Sequence, residues 1–131
     1  MRHFIYYLLG CNESLSGSNG TFYSPNYPQK YPDGQYCSWR ITVEPSHKIH
    51  LTFTFFSLQR ENNTDALYVY DGENITGAVL GVFFGGHGHT PPKEGVNSSS
   101  NHMFVIFKSD NKNSYTGFRA SYSTLDRKSV V

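Results

Sequence analysis

Hydrophobic and polar residues alternate with a period of two along several short segments of this chain. The clearest segment is residues 49–55, where every second position is apolar and predicts one buried face of a strand. The residues of that face are Ile49, Leu51, Phe53 and Phe55. Similar short runs predict further strands at residues 39–43, 67–70, 79–83, 103–107 and 118–122. No window of about a dozen residues carries the 3.6-residue apolar period of an amphipathic helix.

Turn-forming residues separate the predicted strands, as in Pro-Asp-Gly at residues 32–34 and Asp-Gly at residues 71–72. Many short strands joined by such turns are typical of an antiparallel sandwich or barrel. The alternation is lost after Tyr122, and we expect residues 123–131 to form a frayed tail. The sequence therefore predicts an all-β fold.

The length of the chain limits it to one domain, and its net charge gives it no strong attraction to charged partners. Its 131 residues allow one domain with a real core and are too few for two ordinary ones. The formal net charge of +1 implies no strong attraction to nucleic acid or to a membrane surface. No apolar stretch approaches the roughly 18 residues that a membrane span needs, so we expect no membrane insertion.

Glycosylation motifs and two cysteines indicate the secretory route. Chance would give about two Asn-x-Ser/Thr motifs at this composition, but the chain contains five. Their acceptor residues are Asn12, Asn19, Asn62, Asn74 and Asn97. An exported protein folds in an oxidising environment, where we expect the two cysteines, Cys11 and Cys37, to form a disulfide.

The first ten residues have three interpretations. The basic start at residues 1–3 and the apolar run at residues 4–9 resemble a clipped signal peptide, although that run is shorter than the ~7–15 residues of a usual hydrophobic region. Residues 8–11 resemble a bacterial lipoprotein motif, but Cys11 has a better use in a disulfide. We favour the third interpretation, in which residues 1–10 flank the domain in a larger chain.

A series of short motifs runs in a characteristic order from Cys11 to Tyr122. After Cys11 they are GTFYSPNYP at 20–28, YP at 31–32, CSW at 37–39, IHLTF at 49–53, DALYVYDG at 65–72, LGVFFG at 80–85, NSSS at 97–100, FKSD at 107–110 and GFRASY at 117–122. In this order and spacing they resemble the CUB domain family, over residues 11–122. The resemblance implies an antiparallel, jelly-roll-like β-sandwich of two sheets, in agreement with the strand pattern.

One departure from the family concerns its cysteines. Most CUB domains have four, and the second pair bridges the loop before the position of Asp65 to a Phe-Cys-Gly segment. Here that segment reads Phe-Phe-Gly at residues 83–85, and the loop at residues 60–64 has no cysteine. We expect Phe84 to fill the place of the missing bridge by packing, and the loop to be looser than usual.

The resemblance also implies a calcium site at one end of the sandwich, which the family builds from a Glu, two Asp and a Tyr. Hard oxygen atoms of this kind are the ligands that Ca²⁺ prefers. The matching residues are Asp65 and Asp110 as the acids, Tyr31 in support, Asn111 through its carbonyl, and Gln59 where the family has Glu. Gln59 brings no charge, although Glu61 lies two residues further on, so we expect weak binding. The alternative is that both aspartates only accept hydrogen bonds from loop amides.

Catalytic motifs are missing from the sequence. It contains no His-Glu-x-x-His, Gly-x-Ser-x-Gly or phosphate-loop pattern. The one close histidine pair, His87 and His89, lies among glycines and prolines and is interpreted as part of a solvated loop. We therefore predict that the chain is not an enzyme.

The predicted function is that of an extracellular interaction module within a larger secreted or cell-surface protein. The resemblance implies a protein partner that offers a Lys or Arg side chain to the acidic residues, here Asp65 and Asp110. Two alternatives remain. One is an ancillary domain of a secreted protease, and the other is a stand-alone, spermadhesin-like binder of glycans or lipid headgroups.

Overall fold

The computed structural model describes residues 11–59, 64–86, 88–110 and 114–126. These residues form nine strands and no helix, and hence no helix that is long and apolar enough to cross a membrane. In chain order the strands are β1 (Asn12–Ser16), β2 (Asn19–Tyr23), β3 (Tyr36–Thr42), β4 (His47–Ser57), β5 (Ala66–Asp71), β6 (Ala78–Phe83), β7 (Val96–Asn97), β8 (His102–Lys108) and β9 (Gly117–Asp126). The all-β prediction is confirmed.

The strands are arranged as a sandwich of two sheets. The five-stranded sheet has the order β1-β3-β8-β5-β6, and the four-stranded sheet has the order β2-β9-β4-β7. Neighbouring strands run antiparallel except β1 and β3, which form a parallel pair at one edge. The predicted jelly-roll-like sandwich is therefore confirmed, with one parallel pair in addition.

The core lies between the sheets, where every second residue of the central strands points inward. Trp39 stacks on Phe22 with ring centroids 5.0 Å apart and meets the edge of Phe118 at 5.6 Å. Edge-to-face and offset contacts of this kind add to the stabilisation that burial of the rings provides. The strand pattern predicts inward-facing side chains at Trp39, Ile41, Leu51, Val69 and Phe118. Each of these side chains is at most 2% exposed.

A bulge in β4 separates residues that the sequence pattern assigns to one face. The pairing of β4 with β9 shifts in register between Phe53 and Phe55. Because a bulge interrupts the two-residue alternation, Phe53 stays half-buried against the core while Phe55 is 39% exposed. The prediction that Phe55 shares the buried face with Ile49 and Leu51 is wrong for this reason.

Strand β9 is longer than the sequence pattern indicates. Ser123 lies opposite Asn19 of β2 and His50 of β4. The expectation of a frayed chain directly after Tyr122 is therefore wrong for residues 123–126. Backbone hydrogen bonds between strands do not require apolar side chains, so this extension has no hydrophobic signature. The remaining tail residues and residues 1–10 lie outside the described part of the chain.

A disulfide joins Cys11 to Cys37, as predicted, with their Cα atoms 4.9 Å apart. Cys11 directly precedes β1, and Cys37 lies in β3. The bond therefore ties the parallel edge strand to the rest of its sheet. A closed loop of this size stabilises a fold by about 3 kcal/mol in the chain-entropy description.

Candidate functional site

Four of the six residues predicted to bind or support calcium meet at one end of the sandwich. They are Tyr31 from the segment before β3, Gln59 after β4, Asp65 before β5 and Asp110 after β8. Gln59 and Asp65 have no exposed surface, whereas Asp110 is half-buried. Glu61 and Asn111, the other two predicted ligands, lie outside the described residues, so their roles stay predictions.

Tyr31 connects the acid to the segment that carries Gln59. Its hydroxyl donates a hydrogen bond of 2.6 Å to Oδ2 of Asp65 and accepts one of 3.1 Å from the backbone N–H of Gln59. The ring makes an edge contact with Phe107 at 5.0 Å, and the Tyr31 N–H donates to the carbonyl of Tyr115. Tyr31 thus holds the Asp65 carboxylate in place, and its supporting role toward a metal stays a prediction.

The two aspartates are joined through the backbone of one of them. The N–H of Asp110 donates a hydrogen bond of 2.8 Å to Oδ1 of Asp65. Burial raises the pKa of the Asp65 carboxyl, the hydrogen bonds from Tyr31 and the Asp110 amide oppose that shift, and the charge of Asp110 adds to it. Two acids held this close favour a cation beside them.

Thr64 adds a further oxygen that the sequence analysis does not single out. Its Oγ1 lies 2.6 Å from Oε1 of Gln59 and 2.5 Å from Oδ2 of Asp110. A hydroxyl has one proton and can donate to only one of these oxygens. Both contacts are satisfied if the Gln59 amide is turned, so that its Nε2 donates to Thr64 while the Thr64 hydroxyl donates to Asp110. The only sequence signal for Thr64 is its place directly before Asp65.

The segment at the position of the family's second disulfide packs against the end of β4. A Cβ at Gly85 would lie 2.0 Å from the carbonyl oxygen of Leu58, so a residue without a side chain is required there. Phe84 is half-buried, and its ring contacts that of His89 at 5.7 Å. The loop that Phe84 was expected to support, at residues 60–63, lies outside the described residues, so that expectation stays a prediction.

The donor atoms of this site fit a hard cation. Two carboxylates, an amide and a hydroxyl supply only oxygen, which is the ligand type that Ca²⁺ prefers. The formal charge of the two acids is −2, whereas the family pattern with Glu would supply −3. Among the described residues no group of three or more His, Cys, Asp or Glu is placed to hold a metal. Fewer charges mean a weaker site.

Four of the five predicted glycosylation sites lie in the described part of the chain, and all four are exposed. Asn12 and Asn19 begin the edge strands β1 and β2, Asn97 ends the edge strand β7, and Asn74 lies in the turn between β5 and β6. Asn62 falls outside the described residues. Glycan attachment at all five stays a prediction.

Known proteins resemble this chain over nearly its whole length. A family model described as CUB domain matches residues 11–122. The zinc metalloproteinase nas-39 of Caenorhabditis elegans is 38% identical over 117 residues, which are 88% of this chain and 12% of nas-39. The full extracellular region of zebrafish Gpr126/Adgrg6 superimposes with a TM-score of 0.74 at 31% identity, over 88% of this chain and 15% of that one.

A calcium-bound structure is also similar to this chain. The MASP-1 CUB2 domain bound to Ca²⁺ superimposes with a TM-score of 0.68 at 25% identity, over 85% of this chain and 96% of that one. Five curated relatives are longer proteins, of which the chain spans between 3% and 20%.

Proposed function

The chain belongs to the CUB domain family of non-catalytic, extracellular interaction modules, and on that premise we propose that one end of its sandwich binds calcium weakly and receives a cationic side chain of a partner protein. We call this group of side chains the acidic cluster. Its members are Gln59, Thr64, Asp65 and Asp110. The observation that carries the proposal is the hydrogen bond of 2.8 Å from the Asp110 N–H to Asp65, which holds two acids together.

Each member of the acidic cluster has a proposed role. Asp65 and Asp110 would hold the cation through their carboxylates, and Gln59 and Thr64 would add neutral oxygens. Bound calcium would offset the repulsion between the two acids and leave carboxylate oxygens able to accept a charged hydrogen bond. Tyr31 orients Asp65 through its hydrogen bond. Because the third carboxylate of the family pattern is missing, we expect a dissociation constant in the weaker extracellular range, about 10⁻⁴–10⁻³ M.

Asp110 is the acid best placed to meet a partner. In the calcium-binding members of the family, the acids of the site also receive a Lys from the partner. Asp65 has no exposed surface, whereas Asp110 is half-buried and therefore reachable by an incoming Lys or Arg. One exposed ion pair contributes about 0–1 kcal/mol, so repeated modules in one protein would raise the avidity.

A second candidate function is that of an ancillary domain in a secreted protease. The 38% identity to nas-39, a zinc metalloproteinase by name, favours it. Catalysis would then take place in another part of a longer protein, because the chain corresponds to 12% of nas-39. The full-length reading frame would distinguish this candidate from the first.

A calcium titration followed by thermal unfolding tests the proposed calcium site. At 100 times the dissociation constant, the ion should add about 2.7 kcal/mol to the free energy of unfolding. Asp110→Ala should remove that increment and leave the protein in EDTA nearly unchanged. Glu94→Ala, an exposed acid in the loop before β7, is the matched control and should keep the increment. An unfolding temperature that saturating calcium does not change would contradict the proposal.

A further inference from the structure

Two cations lie over aromatic rings on the outer face of the five-stranded sheet. Nζ of Lys108 is 5.1 Å from the ring centroid of Tyr68 and 5.5 Å from that of Tyr36. Cζ of Arg40 is 5.3 Å from the ring centroid of Phe104. Attraction between a cation and the face of a ring holds such side chains in place. Both cations are thus positioned before a partner binds.

These side chains share one face because of the strand register. Arg40 lies opposite Phe104, which lies opposite Tyr70 on the next strand. Trp39, Met103 and Val69, which are chain neighbours of these residues, point inward and belong to the core. Ile106 also points outward, between Phe104 and Lys108, yet it is only 2% exposed. The face therefore has an apolar floor between its cations.

One negative side chain reaches this outer face within the described residues: Glu73, in the turn after β5, whose carboxylate lies beside His102 of the outward row of β8. The acids of its strands, Glu13 and Asp71, belong to the inward row, opposite Trp39 and Met103. The carboxylate of Asp71 accepts hydrogen bonds from the N–H and the hydroxyl of one residue, Ser99. With two cations, Arg40 and Lys108, against the single acid Glu73, the described part of the outer face has an excess of positive charge.

Neither cation is neutralised by an ion pair in the part of the chain that the structure describes. The single ion pair found there joins His102 to Glu73 over 3.8 Å. The backbone carbonyl of Glu73 accepts a hydrogen bond of 2.9 Å from Nε of Arg40, which fixes the guanidinium without cancelling its charge. Lys108 is exposed. Both cations can therefore receive a carboxylate from outside.

The predicted glycosylation sites that the structure describes lie at the edges of the two sheets. The four that the structure describes lie on the edge strands β1, β2 and β7 or in the turn beside the edge strand β6. The cations and rings lie on the central strands β3, β8 and β5. Glycans at these asparagines would therefore be attached at the borders of the sheets and not to the central strands.

We propose that this outer face is a second partner-binding surface, which receives an acidic protein segment with an apolar side chain between its carboxylates. Arg40 lies beside Phe104 of β8, and Lys108 lies four residues further along the same strand. At the rise of a β-strand, this separates the two cations by about 13 Å along the strand direction. Two acids four residues apart in an extended peptide have the same spacing. The surface goes beyond the proposed calcium site and does not depend on it.

A protein partner fits this face better than a sulfated glycan does. Tyr36 is 57% exposed and Tyr68 beside it is half-buried, so an apolar side chain can pack against their rings. Tyrosine and arginine are enriched among the residues that dominate binding at protein interfaces. Binding of a sulfated glycan rests on many cations, and the central strands of this face offer only Arg40 and Lys108.

The test uses a blocked peptide of sequence Glu-Gly-Tyr-Gly-Glu, titrated in EDTA into the isotope-labelled protein and followed by NMR. We expect shifts of backbone amides in β3, β5 and β8, with a dissociation constant in the millimolar range, because each exposed ion pair contributes little. Removing both charges, as Arg40→Gln with Lys108→Gln, should weaken binding about tenfold. Arg119→Gln, an exposed cation on β9 of the other sheet, is the matched control and should bind as the parent does.

Several outcomes would overturn the proposal. These are amide shifts confined to other strands, no shifts at millimolar peptide, or equal binding of the peptide with Gln in place of Glu. Tighter binding of a heparin oligosaccharide at the same residues would reassign the face to sulfated glycans. If the double variant does not fold, Lys108→Gln should bind more weakly than Lys108→Arg, and equal binding would contradict the inference. Because EDTA removes calcium, failure of the acidic cluster does not affect this result.

Discussion

The hydroxyl of Tyr31 donates a hydrogen bond of 2.6 Å to Oδ2 of Asp65, and both side chains are buried. The same oxygen accepts the N–H of Gln59. Tyr31→Phe would remove one hydrogen-bond partner from the Asp65 carboxylate and one from the Gln59 N–H. We therefore expect the free energy of unfolding, measured with urea in EDTA, to fall by about 1–3 kcal/mol. Tyr36→Phe, at a ring that is 57% exposed, is the control and should be nearly neutral. Equal losses would mean that water replaces the Tyr31 hydroxyl.

Replacing Gln59 by Glu should restore the charge that the family pattern supplies. A third carboxylate beside Asp65 and Asp110 should tighten calcium binding by about tenfold, because affinity follows the number of ligand charges. In EDTA the same change should lower the unfolding temperature, since the added charge is buried near two others. Calorimetric titration and thermal unfolding measure the two effects. Gln29→Glu, at an exposed position, should produce neither. Unchanged affinity in Gln59→Glu would exclude Gln59 as a ligand.

Alanine substitutions at Gly117 and Gly17 distinguish the cost of backbone strain from the cost of steric overlap. Their φ angles are +100° and +103°, values that residues with a side chain rarely adopt. A Cβ at Gly117 would lie 1.8 Å from Oγ of Ser24, whereas a Cβ at Gly17 would meet nothing within 4 Å. We expect Gly17→Ala to cost about 1–3 kcal/mol from strain, and Gly117→Ala to cost about 1–3 kcal/mol more. Urea unfolding measures both. Equal costs would mean that Ser24 moves aside.

Trp39 is 2% exposed and contacts the rings of Phe22 and Phe118. Trp39→Ala should therefore lower the free energy of unfolding by about 3–5 kcal/mol, through lost burial and the cavity left behind. Ile75→Ala, at a side chain that is 59% exposed, should change it little. A loss below roughly 1 kcal/mol for Trp39→Ala would contradict the packing described above.

The Cys11–Cys37 bond should be present in protein that is produced through the secretory route. Intact-mass measurement with and without reductant should differ by two hydrogens. Reduction should lower stability by about 3 kcal/mol, because the unfolded chain regains the freedom of the closed loop. Two free thiols in folded protein would contradict the bond and weaken the extracellular assignment.

The strands that carry the core can be predicted from the sequence alone. Inward-facing residues must be apolar in a half-buried sheet, so the two-residue period reveals strands such as the one containing Trp39 and Ile41. The order of the motifs indicated the family, and with it the match of Asp65 and Asp110 to the acids of the calcium site. These features depend on residue type and spacing along the chain, which a sequence contains.

Features that depend on distances between remote segments are visible only in the folded chain. The bulge that exposes Phe55 comes from how β4 pairs with β9, and the extension of β9 comes from backbone hydrogen bonds that need no particular side chain. Thr64 joins the acidic cluster because the fold brings it within 2.5 Å of Asp110, 46 residues away. The outer face with Arg40 and Lys108 arises in the same way, since strand register alone sets those cations over rings of neighbouring strands.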